Sequence, residues 1–313
     1  MRRWFSTPSR PRCRGRDHRF LHAPEFCGRE WDYLKDCLDT GWVSSVGAYV
    51  DRFERDLAEL TGAGLAVAVA NGTAALEVCL KLAEVEAGDE VLVPTLTFVA
   101  TANAVTYRGA TPHFVDSEPR NLGVDPERLE AYLTTVARLT DRGCLNIRTG
   151  APIRALMVMH VFGHPCDLDG QMQVADRWRL VLVEDAAEAL GSRWRGRHLG
   201  TFGRLAALSF NGDKVVTTGG GAAVLTNDPE LGQRAKHLTA TAKAPHRWTF
   251  DHDEVGWNYR MPNLNAALGC AQLERLPDKL GRKARLAERY AAALADIEGV
   301  SLLRPRPGAE VNH

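Results

Sequence analysis

One lysine of this sequence stands where amine chemistry could occur. Lys214 closes the segment SFNGDK (209–214) and is followed closely by the triple glycine of residues 219–221. Glycines let the backbone pack closely around the lysine, which leaves space for a cofactor. A lysine that is desolvated and close to other cations loses its proton and forms Schiff bases with carbonyl compounds. A single lysine after an apolar strand more commonly just reaches solvent, so the residues alone leave both interpretations open.

Carboxylates follow another apolar run. Glu184, Asp185 and Glu188 stand directly after the apolar residues Leu180–Val183. Carboxylates at the buried end of a strand are unfavourable unless they are paired, which favours a functional role. Acidic residues are also common at helix N-termini, where the helix dipole stabilises them. The residues alone leave these two interpretations open.

A phosphate-binding turn is one interpretation of the segment Asn71-Gly72-Thr73. The segment follows the apolar run Leu65–Ala70 and opens a helical pattern. Free N–H groups of a helix N-terminus, a glycine and a hydroxyl together suit a phosphate. The same residue types also form ordinary capped turns. The polar and aromatic segment GWNYRMP (256–262) is similarly open, because it also fits a simple loop between domains or subunits.

Short apolar runs alternate with helical patterns from about residue 61 onward. The runs that we predict to be strands are Leu65–Ala70, Glu90–Val93, Thr111–Val115, Ala155–Met159, Leu180–Val183, Leu205–Phe210 and Ala222–Thr226. Leu76, Cys79, Leu80 and Ala83 have helical spacing, and a helix over Val99–Arg108 fills the gap before the third run. Strand–helix units at this spacing predict the α/β fold class, with a mostly parallel sheet and helices on both faces.

The pattern changes later in the chain. Residues 137–154 carry glycines and a proline, and we predict an irregular connection there. The strands then stop, residues 263–276 and 282–297 have helical patterns, and a short strand is predicted at Val300–Leu303. We therefore place a domain boundary near residue 262.

The composition excludes several classes of protein. The 313 residues contain 39 Lys+Arg and 39 Asp+Glu, which argues against a nucleic-acid binder that works by bulk charge. No apolar run approaches the ~18 residues of a membrane span. Residues 1–19 hold seven Arg and one Asp, so the remainder has 32 basic and 38 acidic residues, a net charge of −6. We expect residues 1–25 to be a disordered leader, and the seven scattered cysteines to be reduced thiols of a cytoplasmic protein.

Seven segments, in this order, resemble the pyridoxal-phosphate-dependent nucleotide-sugar aminotransferases of the DegT/DnrJ/StrS group, which have fold type I. The segments are WVSSVGAYVDRFE (42–54), VANGTAALEV (69–78), VPTLTFVATANAV (93–105), MHVFGHPCDLDG (159–170), VEDAAEALGS (183–192), SFNGDKVVTTGGG (209–221) and GWNYRMPNLNAALG (256–269). The resemblance runs from about Phe26 to Leu276, and its character is nearest to the LegC-type subgroup. It implies a seven-stranded sheet within a pyridoxal-phosphate domain of residues 26–262. It also implies transfer of an amino group from glutamate to a UDP-linked 4-keto-6-deoxy-N-acetylhexosamine.

The resemblance assigns roles to individual cofactor residues. Lys214 corresponds to the Schiff-base lysine, which moves a proton once the substrate has displaced it. Asp185 corresponds to the carboxylate that keeps the pyridine nitrogen protonated. Phe98 corresponds to the aromatic residue stacked on the ring. The residues that correspond to the phosphate-binding groups are Gly72, Thr73, Ser209 and Asn258, the last of them reaching the phosphate of the neighbouring subunit.

Further residues correspond to family positions through motifs that are less specific. Glu188 falls where many relatives have Gln, facing the cofactor's phenolic oxygen, so we expect a shared proton there. Ser44 and Ser45 lie in a loop that borders the substrate site in relatives. His160, at the end of a predicted strand, is either a hydrogen-bonding group of the cleft or structural. The run 246–260, which includes Arg247, His252 and Arg260, either meets a nucleotide pyrophosphate or is a solvated loop.

The resemblance also predicts the partners. The expected substrates are small molecules, glutamate and a nucleotide-linked keto sugar, and the cofactor is pyridoxal 5′-phosphate. We expect a homodimer with shared active sites, with no metal, no nucleic acid and no membrane.

Two departures from the family keep alternatives open. Asp213 stands beside Lys214 where relatives tend to carry Asn. Relatives also continue for several dozen residues, so we expect residues 263–313 to be the helical start of a truncated α+β domain. These departures leave an inactive or regulatory pyridoxal-phosphate-binding fragment as one alternative. The other is a sugar dehydratase of the same group, although such enzymes replace the lysine with His.

Overall fold

Helices and strands alternate along the computed structural model, which describes residues 23–244, 246 and 248–312. Residues 1–22 of the predicted leader 1–25 lie outside the described residues. The α-helices of the described part are α1 (Glu30–Thr40), α2 (Ala48–Thr61), α3 (Gly72–Leu82), α4 (Val99–Tyr107), α5 (Pro126–Val136), α6 (Leu168–Trp178), α7 (Pro229–Thr239), α8 (Asn263–Glu274) and α9 (Leu276–Ala293). Its strands are β1 (Leu65–Val69), β2 (Glu90–Pro94), β3 (Thr111–Val115), β4 (Ala137–Thr140), β5 (Gly143–Asn146), β6 (Pro152–Met159), β7 (Val181–Asp185), β8 (Arg193–Trp194), β9 (Arg197–His198), β10 (Leu205–Ser209), β11 (Ala222–Thr226) and β12 (Ala309–Glu310).

The central sheet contains all seven predicted strands. Its order is β1-β11-β10-β7-β6-β2-β3, and every neighbouring pair from β10 to β3 is parallel. The strand β11 is antiparallel to both of its neighbours. The predicted α/β class and mostly parallel sheet are therefore confirmed, but the count of seven strands is too low, because β4 and β5 extend the sheet to nine strands.

Alternation along the strands explains why helices cover both faces of the sheet. In β1, Val67 and Val69 lie in one hydrophobic cluster, whereas Ala66 and Ala68 lie in the other. Successive side chains of a strand point to opposite faces, so both faces need apolar cover. Buried residues of α3, α4 and α7 join the first cluster, and those of α1, α2, α5, α6 and α8 join the second.

Two predictions about irregular segments are wrong. Residues 137–154 contain the hairpin β4–β5, and β5 pairs with the start of β6. Gly143 begins β5 with a φ of 110°, a backbone conformation that glycine adopts without strain. Residues 300–303, which the structure describes, are irregular, and β12 further along pairs with β8 beside β9. Strands as short as these show too little alternation to be recognised in a sequence.

The helices predicted after residue 262 are present as α8 and α9. The helix α8 contributes to the same hydrophobic cluster as α2 and one face of the sheet. Its Gly269 faces Phe53, and a methyl group on Gly269 would come 2.5 Å from the Phe53 ring. Only glycine allows this approach, so α8 is fixed against the main core. The domain boundary near residue 262 stays a prediction.

Five cysteines of the described residues are buried free thiols, which are Cys37, Cys79, Cys144, Cys166 and Cys270. Buried thiols of this kind pack as small apolar side chains. Among the helices that the structure describes, none has the length and apolar character needed to span a bilayer.

Candidate active site

The carboxyl ends of β7 and β10 bring predicted cofactor residues to one edge of the sheet. The strand β7 ends at Asp185, and pairing of Asp185 with Ala207 places Ser209 at the same edge. Lys214 follows β10 through a turn in which its N–H donates to the carbonyl of Asn211 at 3.1 Å. Open α/β sheets bind their ligands at this edge.

Asp185 is a buried carboxylate that two donors hold. Its side chain accepts a hydrogen bond from the hydroxyl of Thr101 at 2.7 Å and another from the backbone N–H of Ala187 at 3.2 Å. Asp185 is only 2% exposed. Burial raises the pKa of Asp185, and the two hydrogen bonds and the positive charge of Lys214 oppose that rise without cancelling it. A cation bound beside Asp185 would therefore favour its ionised form.

Glu188 holds the side chain of Lys214. The Lys214 Nζ lies 3.2 Å from the Oε1 of Glu188, whose Oε2 accepts the backbone N–H of Phe162 at 2.9 Å. The side-chain amide of Asn312 donates to the carbonyl of Glu188 at 2.7 Å and fixes this turn. Asp213 is exposed. The carboxylate that pairs with the lysine is thus Glu188, and not the neighbouring Asp213 that departs from the family pattern.

The start of α3 lies against Ser209. The Asn71 side chain caps α3 by accepting the N–H of Ala74 at 2.9 Å. The first N–H groups of a helix have no partner inside the helix, and here they belong to Gly72 and Thr73. A methyl group on Gly72 would come 3.3 Å from the Cβ of Ser209, so helix and serine approach closely. Two N–H groups and a hydroxyl at one point fit a phosphate.

Phe98 presents its ring to solvent at the start of α4. The residue is 68% exposed, and its carbonyl accepts the N–H of Thr101 at 3.1 Å. An exposed aromatic face is available to stack on a flat ligand. A buried carboxylate, a lysine, an aromatic face and a phosphate-binding helix start are the groups that pyridoxal phosphate needs. The residues present therefore fit this cofactor.

The structure corrects the interpretation of His160 as a group of the cleft. His160 has no exposed surface, and its Nε2 lies 2.8 Å from a carboxylate oxygen of Glu184, which is also fully buried. Burial works against a charged imidazole, but contacts with Cys166 and Glu184 outweigh it and raise the pKa of His160 to about 10. The backbone N–H groups of Gly200 and Gly203 also donate to Glu184. His160 and Glu184 thus form a buried pair that has no surface open to a ligand.

Arg260 also differs from its expected place. Its guanidinium lies 2.7 Å from the carboxylate of Glu54 and donates to the carbonyl of Ala68 at 3.3 Å. Its side chain is only 13% exposed because the segment around it runs beside the end of β1. Arg260 therefore anchors this segment and does not extend toward a nucleotide. Arg247 lies outside the described residues.

The loop that carries Ser44 and Ser45 is tied to the start of α8. The backbone N–H of Asn263 donates to the carbonyl of Ser44 at 2.6 Å. Two residues further on, the amide of Asn265 donates to the carbonyl of Gly220 at 3.0 Å, in the glycine run after Lys214. The start of α8 thus connects the two loops. A substrate role for both serines, and a role for the exposed Asn258, stay predictions.

Sequence reasoning missed Thr97 and Thr101. The two hydroxyls lie 2.6 Å apart, and Thr101 bonds Asp185. Their spacing of four residues at the start of a predicted helix was the available signal, because such residues share a helix face. Nothing in the local sequence indicates that Asp185, 84 residues later, meets this face.

The fold and the site together define an aminotransferase of the pyridoxal-phosphate-dependent class. The chain belongs to the DegT/DnrJ/EryC1/StrS aminotransferase family, whose model matches residues 26–313. The resemblance stated from the sequence is thereby confirmed.

Individual relatives cover most of the chain. GDP-perosamine synthase from Escherichia coli O157:H7 is 40% identical over 270 residues, which are 86% of this chain and 70% of that protein. GDP-perosamine synthase from Caulobacter vibrioides is 41% identical over 275 residues, 88% of this chain and 70% of that protein. The structure of S. venezuelae DesV in complex with a ketimine intermediate matches with a TM-score of 0.80 and 33% identity, covering 91% of this chain and 71% of that one.

Proposed function

We propose that this chain uses pyridoxal phosphate to transfer an amino group from glutamate to the keto carbon of a 4-keto-6-deoxy nucleotide sugar. The observation that carries the proposal is the placement of Lys214 beside Glu188 at the sheet edge where the buried Asp185 ends β7. A dehydratase is not favoured, because the position that carries His in such enzymes is Lys214 here.

Each residue of the site has a separate role in the proposed reaction. Bound pyridoxal phosphate supplies a carbonyl that exchanges amino groups and a ring that accepts electrons. The amine of Lys214 would bind the carbonyl carbon of the cofactor and would carry a proton between the substrate Cα and the cofactor C4′. Asp185 would keep the pyridine nitrogen protonated. Phe98 would cover one face of the ring and exclude water.

The phosphate end is held by different groups. Gly72 and Thr73 offer N–H groups at the start of α3, and Ser209 offers a hydroxyl. Such a site binds the phosphate of the cofactor without a basic side chain of its own. It fixes the position of the ring relative to Lys214.

The sequence motifs and the named relatives favour different nucleotides in the substrate. The resemblance of the sequence motifs favours a UDP-linked sugar, whereas two relatives at 40% and 41% identity are named for GDP-perosamine. We propose a GDP-linked 4-keto-6-deoxyhexose first, and the UDP-linked N-acetylhexosamine as the alternative. Both present the same keto carbon to the amine, so the site described above serves either.

We also propose a homodimer with shared sites. Asn258 is exposed in this chain, which leaves its amide available to a phosphate bound by a second copy. Large apolar side chains are exposed nearby in sequence, with Trp248 at 75% and Phe250 at 77%. Exposed apolar groups in one segment favour a protein interface. Sedimentation of the purified chain tests for the dimer. Titration of the wild type and of an Asn258→Ala variant with pyridoxal phosphate tests whether Asn258 contributes to cofactor binding.

The proposed reaction is tested in two half-reactions. The purified chain is loaded with pyridoxal phosphate and mixed with glutamate, and conversion of the cofactor to its amine form is followed by absorbance. GDP-4-keto-6-deoxymannose and the UDP-linked keto sugar are then added separately, and the amino sugar is measured by mass spectrometry. Amine formation without amination of either sugar would support the inactive-fragment alternative. Absence of the first half-reaction would overturn the proposal.

A further inference from the structure

We propose that Thr101 is a positioning residue, which acts through Asp185 to hold the pyridine nitrogen of the cofactor and is itself oriented by Thr97. The inference rests on the proposed function, since it concerns how the cofactor is held. It gives a role to Thr97 and Thr101, two residues to which the family resemblance assigned none. Three contacts carry it, and each involves a side chain or backbone group of Thr101.

The first contact is between Thr101 and Asp185. The Thr101 Oγ1 lies 2.7 Å from the Oδ2 of Asp185, and Thr101 has no exposed surface. The other carboxylate oxygen accepts the N–H of Ala187 at 3.2 Å. Rotation about the terminal bond of an aspartate side chain is soft, so a donor on each oxygen is needed to fix the plane of the carboxylate. Thr101 is the side chain that supplies one of them.

The second contact sets the direction of the hydroxyl protons. A carboxylate only accepts, so the single proton of the Thr101 hydroxyl points to Asp185. The Thr97 hydroxyl, 2.6 Å from that of Thr101, must then be the donor to Thr101. A chain in which each hydroxyl both accepts and donates is polarised toward the carboxylate, and each bond strengthens the next. Thr97 is half-buried and forms the outer end of this chain.

The third contact joins the chain to the stacking residue. The backbone N–H of Thr101 donates to the carbonyl of Phe98 at 3.1 Å, and Phe98 follows Thr97 directly. One helical turn therefore holds both Phe98 and the donor to Asp185. A change in Thr101 is transmitted to the carboxylate at the ring nitrogen, whereas the backbone contact with Phe98 remains.

The ionisable groups around Asp185 come from three elements. Lys214 and Glu188 face it from the loops after β10 and β7, and the thiol of Cys79 faces it from α3. Burial raises the pKa of Asp185, and the Thr101 hydroxyl is the first of the groups that oppose this. Without that hydroxyl the carboxylate binds a proton at higher pH, and the protonated pyridine nitrogen loses its counter-charge.

The test measures the affinity of the purified chain for pyridoxal phosphate at several pH values. Thr101→Val keeps the shape and removes the hydroxyl, and Thr101→Ser restores the hydroxyl. Thr239→Val is the matched control, because Thr239 is also fully buried and its hydroxyl donates only within its own helix, to Ala235 at 2.7 Å and more weakly to Lys236. Thr97→Val tests the hydrogen bond between the hydroxyls of Thr97 and Thr101.

We expect Thr101→Val to raise the dissociation constant about tenfold at pH 8, which corresponds to about 1.4 kcal/mol. The loss should be larger at pH 6, because more of the Asp185 population is then protonated. Thr101→Ser should stay within about twofold of the wild type, and Thr97→Val should show about a threefold loss. Equal losses in Thr101→Ser and Thr101→Val, or a loss that does not vary with pH, would show that Thr101 only fills space and would overturn the inference.

A second measurement separates this inference from the proposed function. Unfolding of the cofactor-free chain by urea is compared at pH 8 for Thr101→Val, Asp185→Ala and the double variant. We expect Thr101→Val to lower the folding constant about tenfold in the wild type and by less than threefold in the Asp185→Ala background. If the wild type fails to bind pyridoxal phosphate, the proposed function fails whatever this cycle shows. If the cofactor binds equally to wild type and Thr101→Val, the inference alone fails.

Discussion

The amine of Lys214, the residue proposed as the Schiff-base lysine, lies 3.2 Å from the carboxylate of Glu188. Glu188 is held from its other oxygen by the N–H of Phe162. The pair keeps the lysine side chain turned toward the sheet edge where Asp185 ends. A carbonyl compound that binds Lys214 would have to replace this contact with Glu188.

We expect Lys214→Ala to abolish amino transfer, with kcat/KM reduced by at least about a thousandfold, because no other amine takes its place as covalent partner and proton carrier. The measurement is amino-sugar formation with saturating pyridoxal phosphate. Lys35→Ala is the control, since Lys35 is exposed and pairs only with Asp39 in α1. Equal activity of the Lys214→Ala variant and wild type would refute the assignment of Lys214.

Glu188→Gln should retain activity, within about tenfold of wild type. The amide keeps an acceptor for the Phe162 N–H, and a partly exposed ion pair such as Lys214–Glu188 contributes about 1 kcal/mol or less. Glu188→Ala removes both carboxylate oxygens and should therefore lose more activity than Glu188→Gln. Steady-state kinetics of the two variants provide the comparison. A loss above a hundredfold in Glu188→Gln would mean that the carboxylate charge itself takes part in the reaction.

The cofactor-free chain should be more stable as Asp185→Asn than as wild type near pH 8. Burial raises the pKa of Asp185, so its protonated form stabilises the folded state below the unfolded value of about 3.9, and this stabilisation is lost as pH rises through the folded pKa. Asparagine has no charge to bury. Urea unfolding at pH 4 and pH 8 measures the effect, with exposed Asp39→Asn as control. A difference that shrinks as the pH rises contradicts this sign.

Gly269→Ala should destabilise the chain by about 1–3 kcal/mol, because the added methyl group overlaps Phe53. Gly281→Ala, in the neighbouring helix α9, is the matched control, since its nearest atom is the flexible end of Arg285 at 3.5 Å. There we expect a gain of about 0.5–1 kcal/mol from helix propensity. Urea denaturation of both variants decides the matter; a neutral Gly269→Ala would show that α8 can shift away from α2.

Much of the sheet and several site residues were predictable from the sequence for one physical reason. Each parallel strand is buried on both faces and appears as an apolar run, and its carboxyl end marks the ligand edge. Asp185 and Gly72 lie two residues after such runs and Ser209 lies near the end of another, so their meeting at one edge follows from the order of strands. Lys214 needed the family resemblance, since a lysine after a strand is common.

The contacts that were not predictable depend on distant segments. His160 follows a predicted strand and is a plausible cleft residue in the sequence, but it is buried against Glu184, whose carboxylate also accepts the N–H groups of Gly200 and Gly203. Thr101 meets Asp185 only because β2 and β7 both flank β6. The hairpin β4–β5 was missed because four-residue strands show too little alternation.

Asn312 donates to the carbonyls of Glu188 and Leu190, and its backbone N–H donates to Ser192, 120 residues earlier. The turn that presents Glu188 to Lys214 therefore has its last hydrogen bonds only after residue 312 has been synthesised. During translation the sheet can form while this turn is still incomplete, because all seven central strands precede residue 227. A nascent chain that has not yet released Asn312 would therefore lack the hydrogen bonds that complete this turn.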